Sequence, residues 1–271
     1  MHTVSAKDQA VEEFVRMGHW LGQKGPVAVL LSGGVDSSLL MALCGENCQE
    51  AFGVTAVSEF FTTQALEQVR IVCQELSVLH YEVPVSALAQ YSISKNDSSR
   101  CYHCKKMIIS NVRALFQSTL SRCKISALTF VDGTNADDDP NRPGGMALRE
   151  EGVLSPFLEF GISKEMIRKE ALRRGLSCAE RPADSCLATR ICTGQSIDIE
   201  SLQHVEKIEK YMQGHGVIDC RAKLCEYKVS LLCAPEYWDT LNECLSGVAD
   251  LVNSFGLQVN SCIKYGENNG S

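Results

Sequence analysis

Short, continuous apolar runs alternate with longer amphipathic stretches over the first two thirds of the chain. Val27–Leu31 is apolar throughout and runs into Ser-Gly-Gly, as expected of a buried parallel strand ending in a tight turn, after which a helix starts over Leu39–Cys44. A second run, Gly53–Val57, precedes Glu59–Leu76, where Leu66, Val69, Val72 and Leu76 recur at helical spacing. His80–Val85 is a third strand. Tyr102–Leu120 predicts a helix with Met107, Ile108, Val112, Leu115 and Phe116 on one face, and Leu128–Val131 is a fourth strand ending at DGTN. Ser163 caps a helix over Lys164–Arg174 that stops at Gly175. Beyond the Cys-, Pro- and Arg-rich loop Ser177–Gln195 the pattern changes. Ile199–Met212 is helical, Arg221–Cys233 is one or two strands, Pro235–Phe255 is a helix begun by proline, and Gln258–Ile263 is a last strand.

Strands alternating with helices at this spacing predict right-handed βαβ units, hence an α/β doubly wound parallel sheet over residues 1–195, with a smaller α+β domain over 196–271. In such sheets ligands sit beyond the carboxyl ends of the strands, where SGGVDSS, VSEFF and DGTNADDDPNRPGG all fall.

Composition narrows the class of protein. With 271 residues, 45% hydrophobic and 22% charged, the chain can bury a sizeable core and is neither disordered nor low in complexity. Lys and Arg number 26 against 33 Asp and Glu, so a net charge of −7 argues against a basic surface for nucleic acid. The N-terminal stretch carries acids and lacks the apolar run of a signal peptide, and no apolar stretch is long enough to span a membrane. The expectation is a cytoplasmic protein with no membrane partner, whose 14 cysteines are ligands, reactive groups or packing residues before they are disulfides.

Two motifs carry chemistry. Ser32-Gly33-Gly34-Val35-Asp36-Ser37-Ser38 joins a strand to a helix N-terminus, where backbone N–H groups and the helix dipole attract a polyanion. The glycines allow close approach to phosphate, the serines add donors, and Asp36 can hold magnesium. The lysine of a Walker loop is absent, which excludes that form of γ-phosphoryl transfer. Instead, the string resembles the PP-loop of the N-type ATP pyrophosphatases, which cleave ATP between the α- and β-phosphates and adenylate their substrates. The second motif is Cys101-x-x-Cys104, with Cys186 in RPADSCLATR. Spacing alone is compatible with zinc, with His103 or Cys192 as a fourth ligand, with a redox disulfide, or with an iron–sulfur cluster. Cys44 and Cys48 can meet on one helix face, Cys73 lies in an apolar stripe, and Cys123, Cys178, Cys220, Cys225, Cys233, Cys244 and Cys262 have no ligand spacing.

Taken in order, SGGVDSS, VSEFF, RCYHCKK, DGTNADDDPNRPG, LSPFLEFGISKEMIRKEALRRGL and RPADSCLATRICTG resemble the LarE family over roughly residues 20–215. The resemblance weakens after Leu231. LarE proteins are ATP-dependent sulfur insertases of nickel-pincer cofactor synthesis. The resemblance implies adenylation of a carboxylate of pyridinium-3,5-biscarboxylic acid mononucleotide, then sulfur attack to give a thiocarboxylate. One subtype sacrifices the sulfur of a cysteine at the position of Ser185; the other holds a 4Fe-4S cluster on three cysteines and transfers a sulfide from its open iron. Ser185 together with Cys101, Cys104 and Cys186 matches the second. By the same resemblance Ser32, Gly33, Gly34, Asp36, Ser37 and Ser38 carry pyrophosphate and magnesium, and Ser58 and Gly133 line the adenosine side. Arg190 meets AMP or substrate phosphate, and Arg142, Arg221 and Lys223 are further anion contacts. A homo-oligomer acting on a small-molecule mononucleotide, with no nucleic-acid partner and an unidentified sulfur donor, completes the expectation. The other readings are a PP-loop tRNA thiolase, another adenylating amidotransferase or synthetase, and a non-catalytic nucleotide- or metal-binding regulator.

Overall fold

The computed structural model describes residues 6–123, 128–139 and 141–266. Its elements, in chain order, are α1 (Ala6–Gly22), β1 (Val27–Leu30), α2 (Val35–Asn47), β2 (Ala51–Val57), α3 (Thr63–Glu75), β3 (His80–Pro84), α4 (Tyr91–Ser94), α5 (Arg100–Cys123) and β4 (Thr129–Val131). They continue with α6 (Pro143–Glu150), α7 (Pro156–Glu159), α8 (Lys164–Arg173), a 3-10 turn (Leu187–Arg190), α9 (Ile199–Gly214), β5 (Cys220–Cys225), β6 (Lys228–Cys233), α10 (Trp238–Ser254) and β7 (Gln258–Lys264). The chain divides into two compact units: Met1–Ser58, Thr63–Val85 and Cys101–Asp184 form the first, and Glu59–Thr62, Ser86–Arg100 and Ser185–Ser271 the second.

The first unit is built on a four-stranded, wholly parallel sheet in the order β3-β2-β1-β4, the α/β architecture that the alternating pattern predicts. Buried parallel strands need apolar residues on both faces. Ala28, Phe52, Val54, Val83 and Phe130 pack on one face against Ile109, Val112 and Phe116 of α5 and Leu148 of α6. Phe52 lies 5.2 Å from the Phe116 ring and 5.4 Å from Tyr81. Alternation sends Val27 and Val29, both fully buried, to the other face, and α2 packs on β1 and β2 with α1 and α8 against it.

Three sequence expectations shift. Helix α2 starts at Val35 rather than Leu39, because Gly34 takes the extended N-cap position and the hydroxyls of Ser37 and Ser38 donate back to its carbonyl at 3.2 and 2.9 Å. Helix α3 starts at Thr63 rather than Glu59. The Glu59 carboxylate instead accepts from Ser86 Oγ and the Ala87 N–H, both at 2.9 Å, within the second unit. On α5 the buried residues are Met107, Ile109, Val112 and Phe116, Ile108 is half-buried, and Leu115 is exposed, since it falls one position off that face. Helices α1 and α6 and the short helices α4 and α7 lie outside the pattern read from the sequence.

In the second unit a three-stranded sheet has the order β5-β6-β7, with β5 and β6 antiparallel and β6 and β7 parallel. Helix α9 packs on β5, α10 on β7, and the two helices on each other. Ala222, Leu224, Val229 and Leu231 form the buried face of the sheet. No helix among the described residues is long and apolar enough to cross a membrane.

Ile109 is fully buried at the centre of the α5 face. Ile109→Ala is therefore expected to cost about 2–5 kcal/mol, seen as a lowered thermal midpoint, whereas Leu115→Ala, at an exposed position, should leave it nearly unchanged.

Candidate active site

Strand order reverses between β1 and β4, so the loops leaving these two strands border the crevice of the first unit. Both loops come close through glycine. Gly33 has φ of +82°, and a Cβ there would meet the Ala65 carbonyl at 2.7 Å. A Cβ on Gly133 would meet Ser37 N at 2.8 Å, so the loop after β4 is pressed onto the first turn of α2. The PP-loop is shaped by its own serines: Ser37 Oγ accepts from the Ser32 N–H at 3.2 Å and lies 3.3 Å from Ser32 Oγ. Ser58 is half-buried just past the end of β2.

Asp36, in the first turn of α2, is the residue on which the loops converge. Asn135 Nδ2 donates to its Oδ1 at 3.2 Å, and Lys164 Nζ, from the start of α8, forms an ion pair with its Oδ2. Lys164 is itself placed by its backbone N–H, which donates to Asp137 Oδ2 at 2.7 Å. The acids 137–139 tie the loop together: Asp138 accepts from the Asn135 N–H at 3.0 Å and from Arg142 at 2.9 Å, and Asp139 from the Asn141 N–H at 2.8 Å. Beneath them the buried Asp132 accepts from Thr134 Oγ1 and Ser155 Oγ at 2.5 and 2.6 Å. Arg142 also donates to Thr134 Oγ1 at 3.3 Å. Lys164, Asn135 and Asp132 were not among the residues singled out in the sequence. Their signal lay in the DGTNADDD and GISKE strings, but nothing in the spacing says that a lysine 128 residues away pairs with Asp36.

Cys101 and Cys104 lie one turn apart at the start of α5, Cys101 exposed and Cys104 partly buried. A Cβ at Gly144, just after Arg142, would lie 3.8 Å from Cys101 Cβ, so the thiol pair borders the segment that follows the DGTN loop. Among the described residues no preformed group of three or more His, Cys, Asp or Glu surrounds a metal position. Thiolates are the soft ligands that an iron–sulfur cluster takes, and among the described free cysteines Cys101 of the first unit and Cys186 of the second are exposed, with Cys104 partly so. For magnesium, the partly exposed Asp36 carboxylate supplies the hard oxygen that such an ion requires.

Cys186 belongs to the second unit, where it precedes the 3-10 turn. Arg190 is only 2% exposed. Its Nε and Nη2 donate to the two carboxylate oxygens of Glu209 at 2.8 and 3.1 Å, and Nη1 donates to the Ser185 carbonyl at 2.6 Å and Ser185 Oγ at 2.7 Å. Glu209 Oε1 also accepts from the Ala222 N–H at 2.9 Å, so this pair fixes the Cys186 turn to α9 and β5. Arg221 and Lys223 share the outward face of β5, where Arg221 Nη1 donates to the Cys220 carbonyl at 2.6 Å and lies 3.6 Å from Asp219.

The remaining cysteines sort by burial. Cys44 and Cys48 do meet, sharing a thiol–thiol hydrogen bond that raises the first and lowers the second. Burial pushes the Cys73 thiol up to about 11 and Cys220 up to about 12. Cys178, Cys233, Cys244 and Cys262 are raised by burial as well. Cys123 lies where side chains are outside the described residues. Cys192, considered above as a fourth zinc ligand, is instead disulfide-bonded to Cys225.

A parallel sheet whose switch point carries this glycine–aspartate–serine loop defines a PP-loop nucleotide-binding protein of the ATP pyrophosphatase class. The asparagine synthase family model matches residues 10–95. The chain is 30% identical over 206 residues, 75% of either chain, to an uncharacterized protein of Synechocystis, and 28% identical over 232 residues, 84% of either chain, to one of Methanocaldococcus jannaschii. It is 26% identical over 200 residues, 73% of this chain and 70% of the other, to pyridinium-3,5-bisthiocarboxylic acid mononucleotide synthase of Lactiplantibacillus plantarum. The chain belongs to the LarE family.

Two outcomes test this geometry. In metal-free protein a maleimide should label Cys101 and Cys186 first and leave Cys220 untouched in the folded state, since a thiol at about 12 is roughly 10⁻⁴ thiolate near pH 8. Peptide mapping reads the order. Arg190→Ala strands the Glu209 carboxylate in the interior and is expected to cost about 3–5 kcal/mol, read from thermal unfolding, with Arg190→Lys recovering only part because the two-pronged geometry is lost.

Proposed function

We propose that this chain is an ATP-dependent sulfur insertase that adenylates a carboxylate of pyridinium-3,5-biscarboxylic acid mononucleotide, releases pyrophosphate, and replaces AMP by sulfur. The observation that carries the reading is the placement, in one unit, of a PP-loop at the sheet's switch point and an accessible Cys101–Cys104 pair against the segment after β4. Adenylation needs the β- and γ-phosphates held as a leaving group. The first-turn N–H groups of α2 and the Ser32, Ser37 and Ser38 hydroxyls bind these phosphates, and Asp36 holds the magnesium that offsets their charge. Lys164, now paired with Asp36, is the cation nearest that carboxylate and stabilises charge on the phosphates when the metal takes the carboxylate. Ser58 and Gly133 line the adenosine, and Arg142 meets substrate phosphate, with Arg221 and Lys223 the anion contacts of the second unit; Arg190, expected from the sequence to meet an anion, is 2% exposed and holds the Cys186 turn instead. A carboxylate is a poor acyl donor, and AMP as leaving group makes the carbonyl open to a sulfur nucleophile.

Cys101, Cys104 and Cys186 are the residues that would hold a 4Fe-4S cluster in this reading, and a cluster on three thiolates would supply an open iron able to take up the sulfur for transfer. Ser185 occupies the place where a sacrificial cysteine would stand, so the chain is not consumed and turns over repeatedly. The product named for the Lactiplantibacillus plantarum relative, pyridinium-3,5-bisthiocarboxylic acid mononucleotide, supports the dicarboxylate as substrate, and the homo-oligomer expected with the family enters on the same basis.

The test follows pyrophosphate and product mass separately. With ATP, magnesium and the pyridinium dicarboxylate mononucleotide, pyrophosphate should be released, and Asp36→Ala should abolish the release while leaving bound iron unchanged. Cys186→Ser should do the converse, sparing adenylation and stopping replacement of oxygen by sulfur in the product. Anaerobically reconstituted protein should hold about four iron and four sulfide per chain. Stoichiometric zinc without sulfide, or an unchanged thiocarboxylate yield in Cys186→Ser, overturns the assignment of the cluster.

A further inference from the structure

The second unit contains a sulfur couple that the reading above does not use. Cys192, two residues past the Leu187–Arg190 turn that Cys186 opens, is disulfide-bonded to Cys225 at the end of β5, with Cα atoms 5.2 Å apart. Cys225 is exposed and Cys192 partly exposed, unlike the buried thiols of this unit at positions 220, 233 and 244.

The two segments are held together without the disulfide. Ile191 pairs with Leu224 as an isolated parallel bridge, and the Cys192 N–H donates to the Leu224 carbonyl at 3.0 Å. Buried Asn96, in a left-handed conformation at φ of +58°, donates through Nδ2 to the carbonyls of Cys192 and Gln195 at 2.9 and 3.0 Å and to that of Ile191 at 3.4 Å. Its own carbonyl accepts from the Gly194 N–H at 2.8 Å, and the Glu226 N–H donates to Gln195 Oε1 at 2.7 Å. Reduction therefore leaves the two thiols facing each other, and the pair can cycle between dithiol and disulfide with little movement of the backbone. Lys228 stands opposite Cys225 in the strand register, and Lys223 lies two residues along the same outward face. These two lysines put positive charge on the strand pair that carries Cys225, which favours the approach of an anionic sulfur donor.

Replacing a carboxylate oxygen by sulfur changes no oxidation state, so the sulfur consumed must arrive as sulfide. Sulfur carried as a persulfide is two electrons more oxidised, and a dithiol supplies those two electrons. We propose that Cys192 and Cys225 form a redox-active pair that takes sulfane sulfur from a thiol persulfide and releases it as hydrosulfide, an activity that rests on the sulfur-insertion reading only for the use made of the product. The cycle starts when an external dithiol reduces the Cys192–Cys225 bond and becomes a disulfide itself. Cys225 thiolate attacks the outer sulfur of RS–SH; a Cys225 S–S bond forms, the RS–S bond breaks, and RS⁻ takes a proton to leave as RSH. Cys192 thiolate then attacks Cys225 Sγ, the Cys192–Cys225 bond re-forms, and HS⁻ departs. In sum RSSH and two cysteine thiols give RSH, one disulfide and H₂S.

The experiment uses full-length protein without ATP or mononucleotide, so that its result is independent of adenylation. Protein reduced with a dithiol and freed of it receives glutathione persulfide, and H₂S is measured alongside non-reducing peptide mapping. A burst of about one H₂S per chain should appear in step with the Cys192–Cys225-linked peptide. Cys192→Ser should lose the burst and retain one added sulfur on the Cys225 peptide, and Cys225→Ser should lose both. Should either variant fail to fold, the wild-type coincidence of H₂S with the linked peptide decides. A disulfide that dithiols do not reduce in the folded protein, a linked peptide that re-forms without H₂S, or a burst undiminished in both variants overturns the proposal. Failure of pyrophosphate release with the burst intact would instead count against the adenylation reading alone.

Discussion

Asp36 has one carboxylate and two partners from distant parts of the chain, and the architecture of the first unit is arranged around keeping it there. A carboxylate in the first turn of a helix is stabilised by the dipole, yet the same position is where a polyphosphate must bind. Two like charges at one helix end repel each other unless a cation stands between them. Lys164 supplies that cation from α8, and its placement depends on its own N–H being held by Asp137, on a loop pressed onto α2 at Gly133. The buried Asp132, bonded to Thr134 and Ser155, holds the root of the same loop. A side chain at 133 would push that loop away from Ser37 N, so a single missing Cβ permits the approach that brings Asn135 to Asp36. Preorganisation of this kind removes the cost of ordering charged groups at the moment of reaction.

Most of the first unit was legible because local pattern and tertiary role agree there. Buried parallel strands are continuous apolar runs, and the four strands, the helices α2, α3, α5 and α8 and the loops beyond the strands follow from the apolar pattern with small errors at the ends, while α1, α6 and α7 do not. The errors have local causes. Helix α2 extends back to Val35 because Ser37 and Ser38 bond to Gly34, and Glu59 is drawn out of a helical pattern by Ser86 and Ala87, about 27 residues later. What could not be read was pairing at long range. Neither the Lys164–Asp36 ion pair nor the closure of Arg190 on Glu209 has a spacing signature, since each joins elements whose approach is set by the fold. Arg190 shows the limit well. An arginine beside a motif cysteine invites an anion-binding role, whereas its buried guanidinium is engaged with Glu209 and the Ser185 carbonyl.

The cysteines divide along the same physical line. Thiols pushed upward by burial, such as Cys73 and Cys220, are inert packing groups, and their number says little about chemistry. Accessible sulfur is confined to few places, and in the second unit the Cys186 turn and the Cys192–Cys225 bond are separated by a single 3-10 turn. That turn is held rigidly from both sides, by the Arg190–Glu209 pair at one end and by Asn96 at the other. A buried ion pair is seldom retained for stability alone, because desolvation offsets most of its attraction. Its value here is positional: it fixes an exposed cysteine on a segment too short to hold itself, a few residues from the Cys192–Cys225 disulfide, whose two segments are also joined by backbone hydrogen bonds. Rigid support for exposed sulfur is what the proposed sulfur transfer would demand, since a sulfur centre on a mobile loop would lose its cargo to solvent before meeting an acyl adenylate.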